Sequence, residues 1–127
     1  MTILRAARLE RAGFSHAFPE RDTPDAALLE ALGRSTVIQV KQVHGARAVL
    51  AAEAAGQEGD ALVARAGEGA LGVRVADCVP VLVADPASGA VAAIHAGWRG
   101  VAGGVLAAGV GLLGGRELVA AIGPCIG

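Results

Sequence analysis

The chain has 127 residues, of which 54% are hydrophobic and 18% charged, with a formal net charge of −1. That length suits one domain with a core of its own, and the composition argues against a disordered chain and against a basic, polyanion-binding surface. Only Phe14, Phe18 and Trp98 are aromatic, too few for a base-stacking nucleic-acid platform.

No apolar stretch reaches the roughly 18 uninterrupted residues of a membrane span. The nearest, Val101–Leu113, is interrupted by glycines. The first residues are charged and lack the apolar segment of a signal peptide, and two cysteines do not make a disulfide framework. A cytoplasmic protein with no nucleic-acid or membrane partner is expected. The 19 glycines point to close-packed elements and to loops that approach a ligand.

In chain order, Asp22 or Thr23 should cap a helix with Pro24 in its first turn, and Gly33 should close it after Leu32. Thr36–Val43 alternates as a strand, with Ala46–Leu50 as its partner across His44 and Gly45. Gly56–Gly59 reads as a loop before a short strand at Asp60–Ala64. Three further strands follow at Leu71–Val75, Val79–Ala84 and Val91–His95. The last two form a hairpin across the turn-rich Asp85–Gly89. Gly100–Leu113 reads as one helix with Val101, Val105, Ala108 and Leu112 on its inner face, and Leu118–Ile122 as a final buried strand. The expected class is α+β (mixed α/β), a layered mixed sheet with flanking helices. With no repeat or linker, residues 1–127 form a single domain, and the stop just after a core strand suggests a piece of a longer chain.

Three residues carry candidate chemistry. Cys78 follows a strand, where a cysteine is usually an inert small hydrophobe unless a neighbour activates it. His95 ends an apolar strand and precedes a helix start, whose free N–H groups suit an anion such as phosphate. His44 lies next to Gly45, on the face that alternation shares with Ile38, Val40 and Gln42. Their separations, 34 and 17 residues, are too wide for a zinc finger but fit ligands gathered from different strands. Two imidazoles and a thiolate leave a fourth position open, as catalytic zinc sites do, and copper is compatible too. Trp98 reads as a packing residue and Asp60 as a turn residue.

These segments also carry a resemblance. Lys41-Gln-Val-His-Gly45, Gly59-Asp-Ala-Leu-Val63, Val75-Ala-Asp-Cys-Val-Pro80, Ile94-His-Ala-Gly-Trp-Arg-Gly-Val101 and Ala121-Ile-Gly-Pro-Cys-Ile-Gly127 are similar, in order, to motifs of the YfiH/laccase-domain family. That family was once described as polyphenol oxidases and later as purine nucleoside-processing enzymes. The resemblance implies a zinc bound by His44, Cys78 and His95, which are also the catalytic residues. It further implies phosphorolysis of adenosine, inosine and methylthioadenosine, with phosphate as co-substrate, and deamination of adenosine. His16-Ala-Phe-Pro-Glu-Arg21 resembles another family segment and makes Arg21 a pocket residue. Arg99 is a second candidate for substrate binding, and Asp77 for substrate binding or as general base.

Family members continue well beyond the Gly-Pro segment and carry a longer stretch between the Arg21 position and the first helix. The alternatives are a metal-free Cys78–His95 hydrolase or amidase, a copper-dependent polyphenol oxidase, and a non-enzymatic fragment. Oligomeric state has no signature in the sequence.

Overall fold

In the computed structural model, residues 3–19, 23–76 and 78–124 are described. Strand β1 (Ile3–Leu4), helix α1 (Ala7–Arg11) and strand β2 (Phe18–Pro19) come first, with β1 and β2 antiparallel. Next are α2 (Asp25–Leu32), β3 (Val37–Ile38), β4 (Ala48–Leu50) and β5 (Ala61–Ala64). They are followed by β6 (Ala70–Leu71), β7 (Val79–Ala84) and β8 (Val91–Ala96). The last elements are α3 (Trp98–Gly103), α4 (Val105–Leu113) and β9 (Val119–Ile122). The main sheet has the order β4-β5-β8-β7-β9, and β3 pairs in parallel with β6 in a small second sheet. This is the expected mixed α/β class.

Strand alternation divides the core. Ala61 and Val63 of β5, Val81 and Val83 of β7, and Ala92, Ile94 and Ala96 of β8 share one cluster with Val105 and Leu113 of α4. On the opposite face Leu62 packs with Val49 and Ala54, under Ile38, Val40 and Leu71. The buried face of α4 places Gly109 between Val105 and Leu113, so the helix lies close to the sheet there. A Cβ on Gly109 would come within 2.8 Å of Ile94 Cδ1 and 3.5 Å of Ala61 Cβ. Arg65, just past β5, donates to the Leu112 and Leu113 carbonyls and so satisfies acceptors left free at the end of α4.

The β7–β8 hairpin and the closure of α2 by a left-handed Gly33 agree with the expectations. Other expectations are overturned. Pro24 itself occupies the α2 N-cap position with no side-chain cap, while Asp22 lies outside the described residues. Thr36–Val43 does not pair with Ala46–Leu50. Only Val37–Ile38 is a strand, and β4 instead runs parallel to β5, with Val49 beside Leu62 in the register. Likewise only Ala70–Leu71 of the run near Leu71–Val75 is strand.

Gly104, at φ 89°, breaks the expected long helix into α3 and α4. The break rotates Val101 off the buried face, leaving it 54% exposed. β9 pairs along one side only, with β7, and Ile122 is 72% exposed, so it is an edge strand and not a buried one. Among the described residues no helix is long and apolar enough to cross a membrane.

Two glycines of α4 should respond oppositely to substitution. Gly111 has nothing within 4 Å of a built Cβ, so Gly111→Ala should raise stability by about 0.5–1 kcal/mol through helix propensity. Gly109→Val should instead cost about 2–3 kcal/mol by overpacking Ile94. Urea denaturation of the two variants checks both signs.

Candidate metal centre

β8 carries His95 between Ile94 and Ala96, which face α4, so alternation turns His95 to the other side of the sheet. It is 3% exposed. Its neighbour across β5 is the residue that precedes that strand, Asp60, whose carbonyl accepts the His95 backbone N–H at 2.7 Å. The two side chains meet as well, with His95 Nδ1 2.6 Å from Asp60 Oδ2. A carboxylate only accepts, so Nδ1 carries the proton and Nε2 keeps its lone pair for a second partner.

Asp60 is fully buried and holds a second segment. Its Oδ1 accepts the backbone N–H groups of Val43 at 3.1 Å and Gly45 at 3.0 Å, and its Oδ2 accepts that of His44 at 3.0 Å. Burial pushes the Asp60 carboxyl upward. The hydrogen bond from His95 and those from Gly45, Val43 and His44 together outweigh it and hold the group below the ordinary aspartate range. This turn around a carboxylate puts His44 at φ 60°, the one positive φ among the described non-glycine residues. His44 therefore reaches the site through a left-handed turn and not through the strand alternation expected of residues 36–43.

The approach to His44 is tied on both sides. Lys41 exchanges backbone hydrogen bonds with Gln57 and Gly59. The Gln42 amide donates to the Arg74 carbonyl and accepts the Arg74 N–H, both at 2.7 Å. Arg74 begins the stretch that leads to Cys78 at the start of β7, so Gln42 links the chain before His44 to the chain before Cys78.

The outcome is convergence. One donor atom each from His44, Cys78 and His95 lies within 4.8 Å of the others. The His44 and His95 rings are 5.1 Å apart at their centroids and nearly perpendicular. Gly97 closes over them, and a Cβ there would sit 3.2 Å from Cys78 Sγ and 3.7 Å from His44 Cδ2. A tetrahedral zinc with bonds near 2.0–2.3 Å would draw such donors to about 3.3–3.6 Å apart, a small contraction. The donor chemistry thus fits a zinc-type ion.

A pocket of about 210 Å³ opens beside the cluster, lined by Val43, His44, Cys78, Gly97, Trp98 and Arg99. Arg99 stands at its rim, with its guanidinium 5.2 Å from the Trp98 ring centre. Trp98 is 77% exposed, so the expectation that it packs in the interior is wrong: α3 starts at Trp98 and turns it outward. Arg21 and Asp77 lie outside the described residues, as does Cys125. The remaining histidine, His16, is occupied: its Nδ1 bonds the Phe14 carbonyl and its Nε2 accepts the Ala6 N–H.

Asp60 is the functional residue that sequence reasoning undervalued. The available signal was a carboxylate heading the all-apolar strand Ala61–Ala64, a place where an acid needs partners. Gln42 and Gly97 left no comparable trace.

Comparison with known proteins places this arrangement. A family profile described as multi-copper polyphenol oxidoreductase laccase matches residues 23–127. A protein named purine nucleoside phosphorylase PA4543 from Pseudomonas aeruginosa is 44% identical over 88 residues, covering 68% of this chain and 36% of that protein. A purine nucleoside phosphorylase from Deinococcus radiodurans is 45% identical over 65 residues, which are 51% of this chain and 26% of that one. Adenosine deaminase RL5, from an unknown prokaryotic organism, is 51% identical over 51 residues, 40% of this chain and 20% of its own.

Among solved structures, NMB0706 of Neisseria meningitidis superposes with a TM-score of 0.71 at 40% identity, over 84% of this chain and 48% of that one. YlmD from Geobacillus stearothermophilus gives 0.64 at 34% identity, over 79% and 44%. The chain spans less than half the length of these relatives. On the extent of the profile match and the shared fold, the chain belongs to the multi-copper polyphenol oxidoreductase laccase family.

Proposed function

We propose that His44, Cys78 and His95 bind one zinc-type ion, and that the protein is a purine nucleoside-processing enzyme which uses it. The observation that carries this reading is the meeting of three donors from three separate segments within 4.8 Å, with Asp60 bonded behind His95. A carboxylate on the far nitrogen of a histidine fixes its ring and raises its basicity as a ligand. When bound, the ion supplies Lewis acidity and makes water nucleophilic near neutral pH. Relatives named purine nucleoside phosphorylase and adenosine deaminase support the substrate class.

The chain's own groups then have defined tasks. Asp60 keeps the proton on His95 Nδ1, so Nε2 stays free as a donor atom. Gly97 leaves room for the Cys78 sulfur. Arg99, at the pocket rim, offers a cation to phosphate or to another anionic group of the substrate. Arg21 and Asp77 are kept as candidate substrate contacts on the resemblance alone. Phosphorolysis of adenosine, inosine and methylthioadenosine, and deamination of adenosine, are the specific reactions proposed.

One observation favours a second reading. Asp60, His95 and Cys78 also line up as a carboxylate–imidazole–thiol relay of the kind a metal-free hydrolase uses. His44 decides between them. A left-handed histidine costs on the order of 1–3 kcal/mol, and a thiol mechanism has no use for it. A multi-copper oxidase fits poorly, because the chain has three histidines and His16 is already engaged at both ring nitrogens.

Purified protein should hold stoichiometric zinc and release hypoxanthine from inosine only with phosphate. His44→Ala should abolish both, whereas retention of activity without metal would establish the thiol reading. His44→Gly should lose zinc equally, yet not lower the melting temperature of the metal-free protein, because the left-handed strain is relieved.

Asp60→Asn leaves amide hydrogens facing backbone donors. It should cost about 2–4 kcal/mol in stability and weaken zinc about 10–100-fold, both readable by calorimetry. Because the folded Asp60 carboxyl is held low, its contribution to stability is present above the ordinary aspartate range and is lost as pH falls through the lower folded value. The Asn variant should lack this acid-side loss in pH-dependent denaturation.

A further inference from the structure

The donor cluster and Asp60 account for the floor of the pocket but not for its rim. Two exposed apolar side chains line the pocket beside His44 and Cys78: Trp98 at 77% exposure and Val43 at 46%. Trp98 directly follows Gly97, where an added Cβ would sit 3.2 Å from Cys78 Sγ, so the indole is tied to the edge of the site by one peptide unit. An indole has one of the largest hydrophobic surfaces of any side chain, and the fold leaves this one in water as part of the pocket lining. Arg99 lies over the ring, 5.2 Å from its centre, and orients the indole by a cation–π contact.

We propose that Trp98 is the platform on which the heterocyclic base of the substrate stacks, with Val43 as a second apolar contact in the same pocket and Arg99 bracing the indole. This rests on the nucleoside reading above and adds a specificity residue to it. Stacking reads the π-face of a base and not its hydrogen-bonding edge, and all purines share that face. A site of this design accepts adenosine and inosine with similar affinity and leaves the discrimination to the chemical step. The ribose carbon and the purine ring then lie over His44, Cys78 and His95, next to the Arg99 cation.

The chain has one tryptophan and no tyrosine, so its intrinsic fluorescence reports Trp98 alone. Zinc-loaded protein is excited at the red edge of indole absorption, where purines do not absorb, and titrated with adenosine, inosine, adenine and ribose. Binding of radiolabelled adenosine is followed in parallel by equilibrium dialysis. Saturable quenching by adenosine, inosine and adenine but not by ribose is the expected result. Trp98→Ala should weaken adenosine about ten-fold in dialysis, Trp98→Phe should retain most of the affinity, and both should keep their zinc. Adenosine bound with no change in fluorescence overturns the stacking role and leaves the nucleoside reading standing. No adenosine bound at all overturns both.

Discussion

One buried carboxylate organises this site. Asp60 has two oxygens, and four donors from two distant segments converge on them: three consecutive backbone N–H groups at 43–45 and the imidazole of His95. Removing a carboxylate from water is costly, and here the cost is offset only while all four donors stay in place. The group therefore acts as a geometric constraint. It bends residues 43–45 into a left-handed turn, presents His44 to His95, and decides which nitrogen of His95 is free.

The fold supplies that carboxylate with a rigid seat. Asp60 precedes β5, which is fully buried between β4 and β8, and His95 stands in the neighbouring strand with its backbone N–H on the Asp60 carbonyl. Cys78 enters from the start of β7, on the far side of β8 from β5. Small residues let the helices settle against this frame. Gly109 brings α4 down onto Ile94, and the glycines of α3 let that helix rest on the His44 turn, where a Cβ on Gly100 would meet the Gly45 carbonyl at 2.7 Å. NMB0706 and YlmD share this fold over 84% and 79% of the chain, although the chain spans under half of either.

Much of this was legible in the sequence where a local rule governs the outcome. The β7–β8 hairpin follows from two apolar runs around a turn-forming Asp85–Gly89, and the end of α2 from Gly33. His44, Cys78 and His95 could be singled out because their wide separations suit ligands gathered from different strands, and because their segments resemble the family motifs. Failures occurred where tertiary partners decide. Nothing local says that β4 pairs with β5 and not with the segment before His44, since either pairing buries apolar residues. A glycine such as Gly104 can sit within a helix or end it, and here its left-handed conformation ends α3. Asp60 looked like a turn residue because its four donors come from 15 to 17 and 35 positions away. Trp98 reads as a packing residue for a related reason, since an indole after a buried strand gives no sign of which way the next turn will aim it.

X-ray absorption at the zinc edge, on protein purified without added metal, tests the central claim most directly. The account predicts a mixed shell with one sulfur at about 2.3 Å and two histidine nitrogens at about 2.0–2.1 Å, the sulfur disappearing in Cys78→Ser. A shell of oxygen and nitrogen only, or a spectrum unchanged by that substitution, would contradict it.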